Sequence, residues 1–212
     1  MLFFVLLHIK SVSMTKEDKI IKDYHTHLKI DIGGAWTNSN VIPFSSKLIS
    51  GCKKVIDIGS GTGKFCLIAA KLNPNIHFTG IEIEERYWAE SIRLKDILGI
   101  SNVDFLLKNY KDVDITEFDG IYIFNPFVMS KKDPYGRKFQ FGIRQDKEYF
   151  EYVKKFKTDL HIANAGTKLV MYNPFCSVPK TSGFSFKKSN TRDFISGLRY
   201  YIKNGTQISN SK

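Results

Sequence analysis

Val55-Ile56-Asp57-Ile58-Gly59-Ser60-Gly61-Thr62-Gly63-Lys64 is an apolar run that enters three alternating glycines and leaves them into a helix-like stretch, Phe65 to Leu72. Glycine is required where a strand reverses sharply into a helix while its backbone approaches a ligand more closely than a Cβ would permit. The helix that follows turns its unpaired N–H groups toward the same space. The spacing therefore predicts a strand, a nucleotide-cofactor loop and a helix.

Two classes of such loop fail on residue type. A phosphate-binding Walker loop needs Gly, four residues and Gly-Lys-Ser/Thr; Gly63-Lys64 is present, but Ile58 and Phe65 replace the first glycine and the magnesium-binding hydroxyl. A dinucleotide fingerprint needs its third glycine where Lys64 stands, which disfavours a nicotinamide-dependent dehydrogenase. The pattern that remains, Asp-x-Gly-x-Gly-x-Gly over Asp57 to Gly63, resembles the first motif of the class I S-adenosylmethionine-dependent methyltransferases. The resemblance implies S-adenosyl-L-methionine as cofactor, with Asp57, Gly59, Ser60, Gly61 and Gly63 around its methionine half and backbone.

Downstream residues extend the resemblance to roughly residues 50–175. After the turn Asn73-Pro74-Asn75, an apolar strand Ile76 to Ile81 ends at Glu82, about 20 residues past the last glycine and placed to accept both hydroxyls of a ribose. In the family this acid binds the cofactor ribose and the next side chain, here Ile83, lies against adenine; Glu84 and Glu85 read instead as first-turn acids of a helix. A third strand, Val103 to Leu107, precedes Lys108-Asn109-Tyr110, where the family commonly has Gly-Asp, so Asn109 is expected to meet the adenine amino group. A fourth, Gly120 to Phe124, ends in Asn125-Pro126-Phe127, similar to the Asn/Asp-Pro-Pro-Tyr/Phe motif of amino-group methyltransferases without its second proline. The resemblance implies that Asn125 and the Pro126 carbonyl accept the N–H bonds of an acceptor amine and that Phe127 stacks on a flat substrate. Asn-Pro is also ordinary turn chemistry, and Asn173-Pro174-Phe175 repeats the triplet after the next strand.

Alternating strands and helices predict an α/β fold, a single Rossmann-like domain with a mostly parallel sheet, helices on both faces and an antiparallel C-terminal strand pair. Helices are expected at Lys16 to Leu28, Ser45 to Ser50, Lys64 to Leu72, Glu84 to Leu98 and Asp146 to Ile162. A fifth strand is expected at Thr167 to Tyr172, and Phe184 to Phe186 with Leu198 to Ile202 supply the terminal pair. The domain is expected over 14–212, with a cofactor half about 50–112 and a substrate half about 119–205. Residues 1–13 read as a start-codon artefact or disordered segment, since Met14 precedes a capping-box-like Thr15-x-x-Asp18. In the loop before the second helix, Trp36 and Thr37 read either as a cover over the cofactor or as a core Trp and a helix-capping Thr.

Cys52, Cys66 and Cys176 show no metal or disulfide spacing, so no metal site is expected and a reducing cytoplasmic location is the simplest context. The apolar run Met1 to Ile9 is too short to cross a bilayer, so no membrane role is expected. The net charge of +11 is concentrated. Segment 129–145 sets Lys131, Lys132, Arg137, Lys138 and Arg144 against Asp133, and segment 180–203 sets six bases against Asp193. Both interleave aromatics, among them Tyr135, Phe139, Phe184 and Phe186, which is equipment for a nucleic-acid strand or another polyanion. A solvated surface is the plainer explanation of such runs. The expected activity is methyl transfer to a nitrogen of a nucleic-acid base. The alternatives are protein lysine methylation and a non-catalytic S-adenosylmethionine-binding or nucleic-acid-binding module.

Overall fold

Four of the five residues of strand β1 (Lys54–Ile58) are buried, as befits a parallel strand covered on both faces. The computed structural model describes residues 16–27, 37–124, 126–127, 147–187 and 197–205. In it β1 joins β2 (His77–Glu82), β3 (Val103–Leu107), β4 (Gly120–Phe124), β5 (Lys168–Tyr172), β6 (Phe184–Phe186) and β7 (Leu198–Lys203). They form one seven-stranded sheet of order β3-β2-β1-β4-β5-β7-β6. The first five strands pair in parallel; β7 runs antiparallel to β5 and to β6, the terminal pairing expected from the sequence.

Two apolar layers cover the sheet. One face packs against α1 (Lys16–His27), α2 (Val41–Leu48), α3 (Lys64–Leu72) and α4 (Glu85–Leu98), through residues such as Ile21, Ile42, Leu67 and Leu94. The other packs against α5 (Lys147–Ile162), through Tyr152, Phe156 and Leu160, and against Ile115 and Phe118 of the β3–β4 connection. That connection makes two short 3₁₀ turns, Tyr110–Asp112 and Ile115–Glu117, in which the N–H of Lys111 is capped by the side chain of Asn109 and the N–H of Thr116 by that of Asp114. Strand order reverses at β1, whose neighbours β2 and β4 lie on opposite sides. In open α/β sheets the ligand crevice forms at that switch point, outside the carboxyl ends of the strands.

Most boundaries agree with expectation to within a residue, but α2 does not. It runs over Val41–Leu48 rather than from Ser45, because Pro43 sits in its first turn, where the missing N–H has no intrahelical partner to lose. Thr37 does not cap this helix: Asn40 holds the cap position and the Thr37 hydroxyl pairs with Tyr122 OH at 3.0 Å, buried. Met14, Thr15, Trp36, Asn125, the segment 129–145 and residues 188–196 of the second basic segment lie outside the described residues.

Candidate cofactor and acceptor site

The three motif glycines all adopt the left-handed conformation, with φ of 76° at Gly59, 55° at Gly61 and 80° at Gly63. The N–H groups of Gly59 and Ser60 both donate to the Ile81 carbonyl, at 3.0 and 2.9 Å, and fold the loop onto the end of β2. A Cβ at Gly59 would stand 2.9 Å from the backbone of Pro126, and one at Gly63 would stand 2.4 Å from the Phe105 ring. At Gly61 it would meet nothing within 4 Å. Gly59 and Gly63 are thus required by packing, whereas Gly61 keeps the space above the loop open.

Glu82 closes the loop from the other side. Its carboxylate accepts from the N–H of Gly61 at 2.8 Å, of Ile83 at 2.8 Å and of Glu84 at 2.9 Å. Burial pushes its pKa up, and those three backbone bonds oppose the rise by favouring the ionised form. Asp57, buried in β1 beneath the loop, lies 3.6 Å from the Cys66 thiol of α3. Burial raises its pKa to about 7, with the thiol hydrogen bond lowering it and the negative charge of Glu82 adding to the rise. Burial likewise pushes the Cys66 thiol well above its ordinary value.

An open cleft of about 380 Å³, solvent included, lies beside the loop and is lined by Ile58, Gly59, Ile81, Glu82, Ile83, Lys108, Tyr110, Pro126, Phe127 and Tyr152. The expected residues Gly59, Glu82, Ile83, Pro126 and Phe127 meet here, with Asp57 beneath and Gly61 at the rim. Ile83 is 45% exposed, so an apolar face is available to a flat ring. The Ser60 hydroxyl is buried without a hydrogen-bond partner, turned toward Gly80 rather than offered to the cleft.

Two expected roles meet obstacles in this conformation. Asn109 Oδ1, expected to accept from an adenine amino group, already accepts from Lys111 N–H at 2.9 Å and Tyr152 OH at 3.1 Å; its Nδ2 is the remaining donor. Phe127, expected to stack on substrate, is only 8% exposed. Its ring stacks on Tyr152 at 4.8 Å and on Tyr110 at 5.7 Å, and meets the edge of Phe175 at 5.1 Å. A flat ligand would have to part these rings. Phe175 arrives there because β4 and β5 pair with Phe124 opposite Tyr172, so that Phe127 and Phe175 each follow one of two adjacent strand ends by three residues.

Tyr110 and Tyr152 are functional candidates that the motifs did not disclose. The Tyr110 hydroxyl donates to buried Asp159, which also takes Lys155 Nζ at 2.8 Å, and Lys155 lies 4.8 Å from the Tyr110 ring centre. Burial and the Asp159 charge hold the phenol far above its ordinary pKa, so it remains a donor. Tyr152 sits on α5, 42 positions beyond Tyr110, and no spacing rule links them; only the fold brings them together.

The site has the form of a cofactor crevice, and its residues fit S-adenosylmethionine: an open glycine loop, a carboxylate at the end of β2 and an apolar wall at Ile83 and Tyr110. A family model described as a methyltransferase domain matches residues 49–142. A tRNA (guanine-N(7)-)-methyltransferase from a Synechococcus species is 41% identical over 54 residues, 26% of this chain and 23% of that protein. One from Geobacillus kaustophilus is 31% identical over 83 residues, 39% of this chain and 37% of that protein. The chain thus spans between 23% and 37% of the length of these curated relatives. An RNA methyltransferase from Salinibacter ruber, solved in complex with S-adenosyl-L-homocysteine, superposes with a TM-score of 0.55 at 14% identity, covering 80% of this chain and 94% of its own.

Proposed function

We propose that this chain, an S-adenosylmethionine-dependent methyltransferase with the class I fold, transfers the methyl group to a nitrogen of a nucleic-acid base. The observation that supports the cofactor most directly is the meeting of the left-handed glycine loop with the Glu82 carboxylate at the strand-order switch point. Support for the acceptor comes from the tRNA-base specificity in the names of the partial relatives and from the basic, aromatic-rich sequence segments of the substrate half.

In this reading Glu82 accepts the ribose hydroxyls, exchanging part of its backbone hydrogen bonding for them, while Ile83 and Tyr110 bound the adenine. Asn109 contributes through Nδ2, because its oxygen is occupied. Asp57, Gly59, Ser60, Gly61 and Gly63 form the wall beside the methionine half, with Asp57 acting from beneath rather than by open contact. The cofactor supplies an electrophilic sulfonium methyl. Transfer of that methyl is an in-line displacement, so what the protein must provide is alignment and exclusion of water. Asn125 with the Pro126 carbonyl aligns the acceptor nitrogen, and Pro126, packed on Gly59, ties that edge to the cofactor loop. Phe127 and Tyr152 form the aromatic wall on the acceptor side.

The test is incubation with methyl-labelled cofactor and, in parallel, RNA, DNA and protein acceptors, followed by digestion and nucleoside analysis. Label in a methylated base is the expected result. Label in lysine would transfer the reading to a protein methyltransferase. Binding of S-adenosylhomocysteine without turnover on any acceptor would support a non-catalytic module.

A further inference from the structure

The exposed face of α5 has two different flanks. At 100° per residue, Lys147, Phe150, Lys154, Lys157 and His161 fall within one sector about 80° wide. No acid falls in it. Glu151 lies about 40° beyond Lys147, whose charge it feels, but its carboxylate is bound by Lys111 at 2.6 Å; Glu148 lies farther round, and Asp159 is buried against Lys155 and Tyr110. Among the described residues no salt bridge engages Lys147, Lys154 or Lys157.

An aromatic ring stands within this basic line. Phe150 is 55% exposed and meets the Tyr149 ring edge-on, with ring centres 5.7 Å apart. Lys147 lies about 4.5 Å along the axis on one side of it and Lys154 about 6 Å on the other. A ring flanked by cations on one helix face suits a base with its neighbouring phosphates. α5 begins at the carboxyl edge of the sheet, and its Tyr152, on the side of the helix opposite the line, is part of the cleft wall, so a strand on the line reaches the cleft around the start of the helix. At the far end it reaches the 3₁₀ turn Lys180–Ser182, which adds exposed Lys180 and is fastened to α5 by a hydrogen bond of 3.0 Å between His161 Nε2 and Thr181 Oγ1.

We propose that this flank of α5 is a track for a single-stranded segment of nucleic acid, with Lys147, Lys154 and Lys157 on phosphates and Phe150 stacked on a base. The track rests on the nucleic-acid reading above and extends it: these α5 side chains hold the acceptor strand away from the reacting base. Stacking separates a polynucleotide from other polyanions, because inorganic polyphosphate offers charge without a flat ring.

The experiment measures binding of a fluorescent single-stranded RNA dodecamer and of inorganic polyphosphate across a salt series. It uses the unsubstituted chain, a Lys147→Ala/Lys154→Ala pair, Phe150→Ala, and Lys71→Ala on the opposite face as a control. Retained S-adenosylhomocysteine binding by every variant serves as the check on folding. The lysine pair is expected to flatten the salt dependence of RNA binding by about 1.4 log units per log unit of salt, about 0.7 for each phosphate no longer neutralised. Phe150→Ala is expected to weaken RNA about tenfold and to leave polyphosphate unchanged. If the unsubstituted chain methylates RNA while the α5 variants bind it with unaltered affinity and salt slope, the track is overturned and the function stands. Equal weakening of RNA and polyphosphate by Phe150→Ala overturns the stacking assignment. Absence of both binding and methylation of nucleic acid by the unsubstituted chain overturns the track and the acceptor assignment together.

Discussion

Alanine at Gly59 and at Gly61 should separate the two demands on the glycine loop. Both residues are left-handed, with φ of 76° and 55°. Alanine in that region costs about 1–2 kcal/mol, and the reduced freedom of the unfolded chain returns roughly 0.4–1 kcal/mol of it. At Gly61 the new methyl meets nothing within 4 Å, so the net loss should be about 1 kcal/mol. At Gly59 it collides at 2.9 Å with the Pro126 Cα and carbonyl oxygen, neither of which can rotate away. Overpacking of this kind adds about 1–3 kcal/mol, for a total of about 2–4 kcal/mol. Ligand binding should order the variants differently. Gly61→Ala fills the approach to the loop while leaving the fold nearly intact, so S-adenosylhomocysteine should bind at least about tenfold more weakly, a loss of about 1.4 kcal/mol. Urea titration gives the stabilities and calorimetry the affinities. Undiminished affinity in Gly61→Ala would mean that no ligand approaches the loop, and a Gly59→Ala protein as stable as Gly61→Ala would remove the argument from Pro126.

Asp57 should make stability depend on pH. Its pKa is raised to about 7 in the folded chain from 3.8, so the folded state retains a proton that the unfolded state releases. The associated stability is complete below pH 4 and is lost as pH rises through 7, at about 1.4 kcal/mol per unit, on the order of 4 kcal/mol in all. Asp57→Asn should flatten that decline in denaturation midpoints taken between pH 4 and 8; an equally steep decline would assign it to other groups. Asp159→Ala should destabilise the chain by about 3 kcal/mol, because it leaves Lys155 and the Tyr110 hydroxyl without their shared partner. It should also weaken S-adenosylhomocysteine binding by unfastening Tyr110, and a variant with both properties intact would contradict the network. Phe127→Ala should cost about 3–5 kcal/mol in urea titration, since the ring is buried between Tyr110 and Tyr152. A loss below about 1 kcal/mol would show that the aromatic stack does not support the fold.

Legibility in the sequence followed the range of the interaction. The glycine loop, α3 and Glu82 were readable because their chemistry is local: a reversal needing positive φ, then an acid at the end of the next strand. The sheet followed from the alternation of elements, and even the short β6 and β7 were placed. Pro43 obscured the start of α2, since a proline reads as a break although the first turn tolerates it. Tyr152 was not legible, because it reaches the cleft only through packing of α5 on the sheet. Phe127 was read from its motif as an open stacking face, whereas its neighbours Tyr110, Tyr152 and Phe175 come from three separate parts of the chain. The second hydrogen bond that occupies Asn109 Oδ1 was hidden for the same reason.

In the proposed function the loop and Glu82 form an S-adenosylmethionine site. Calorimetric titration with S-adenosylmethionine, S-adenosylhomocysteine, NADH and ATP, alongside Glu82→Ala, tests it most directly. The expected result is selective binding of the first two, weakened in Glu82→Ala by at least about tenfold, since a carboxylate on a ribose makes charge-assisted hydrogen bonds worth about 1.5–3 kcal/mol. Binding of NADH or ATP in preference, or equal affinity of Glu82→Ala and the unsubstituted chain for S-adenosylmethionine, would contradict it.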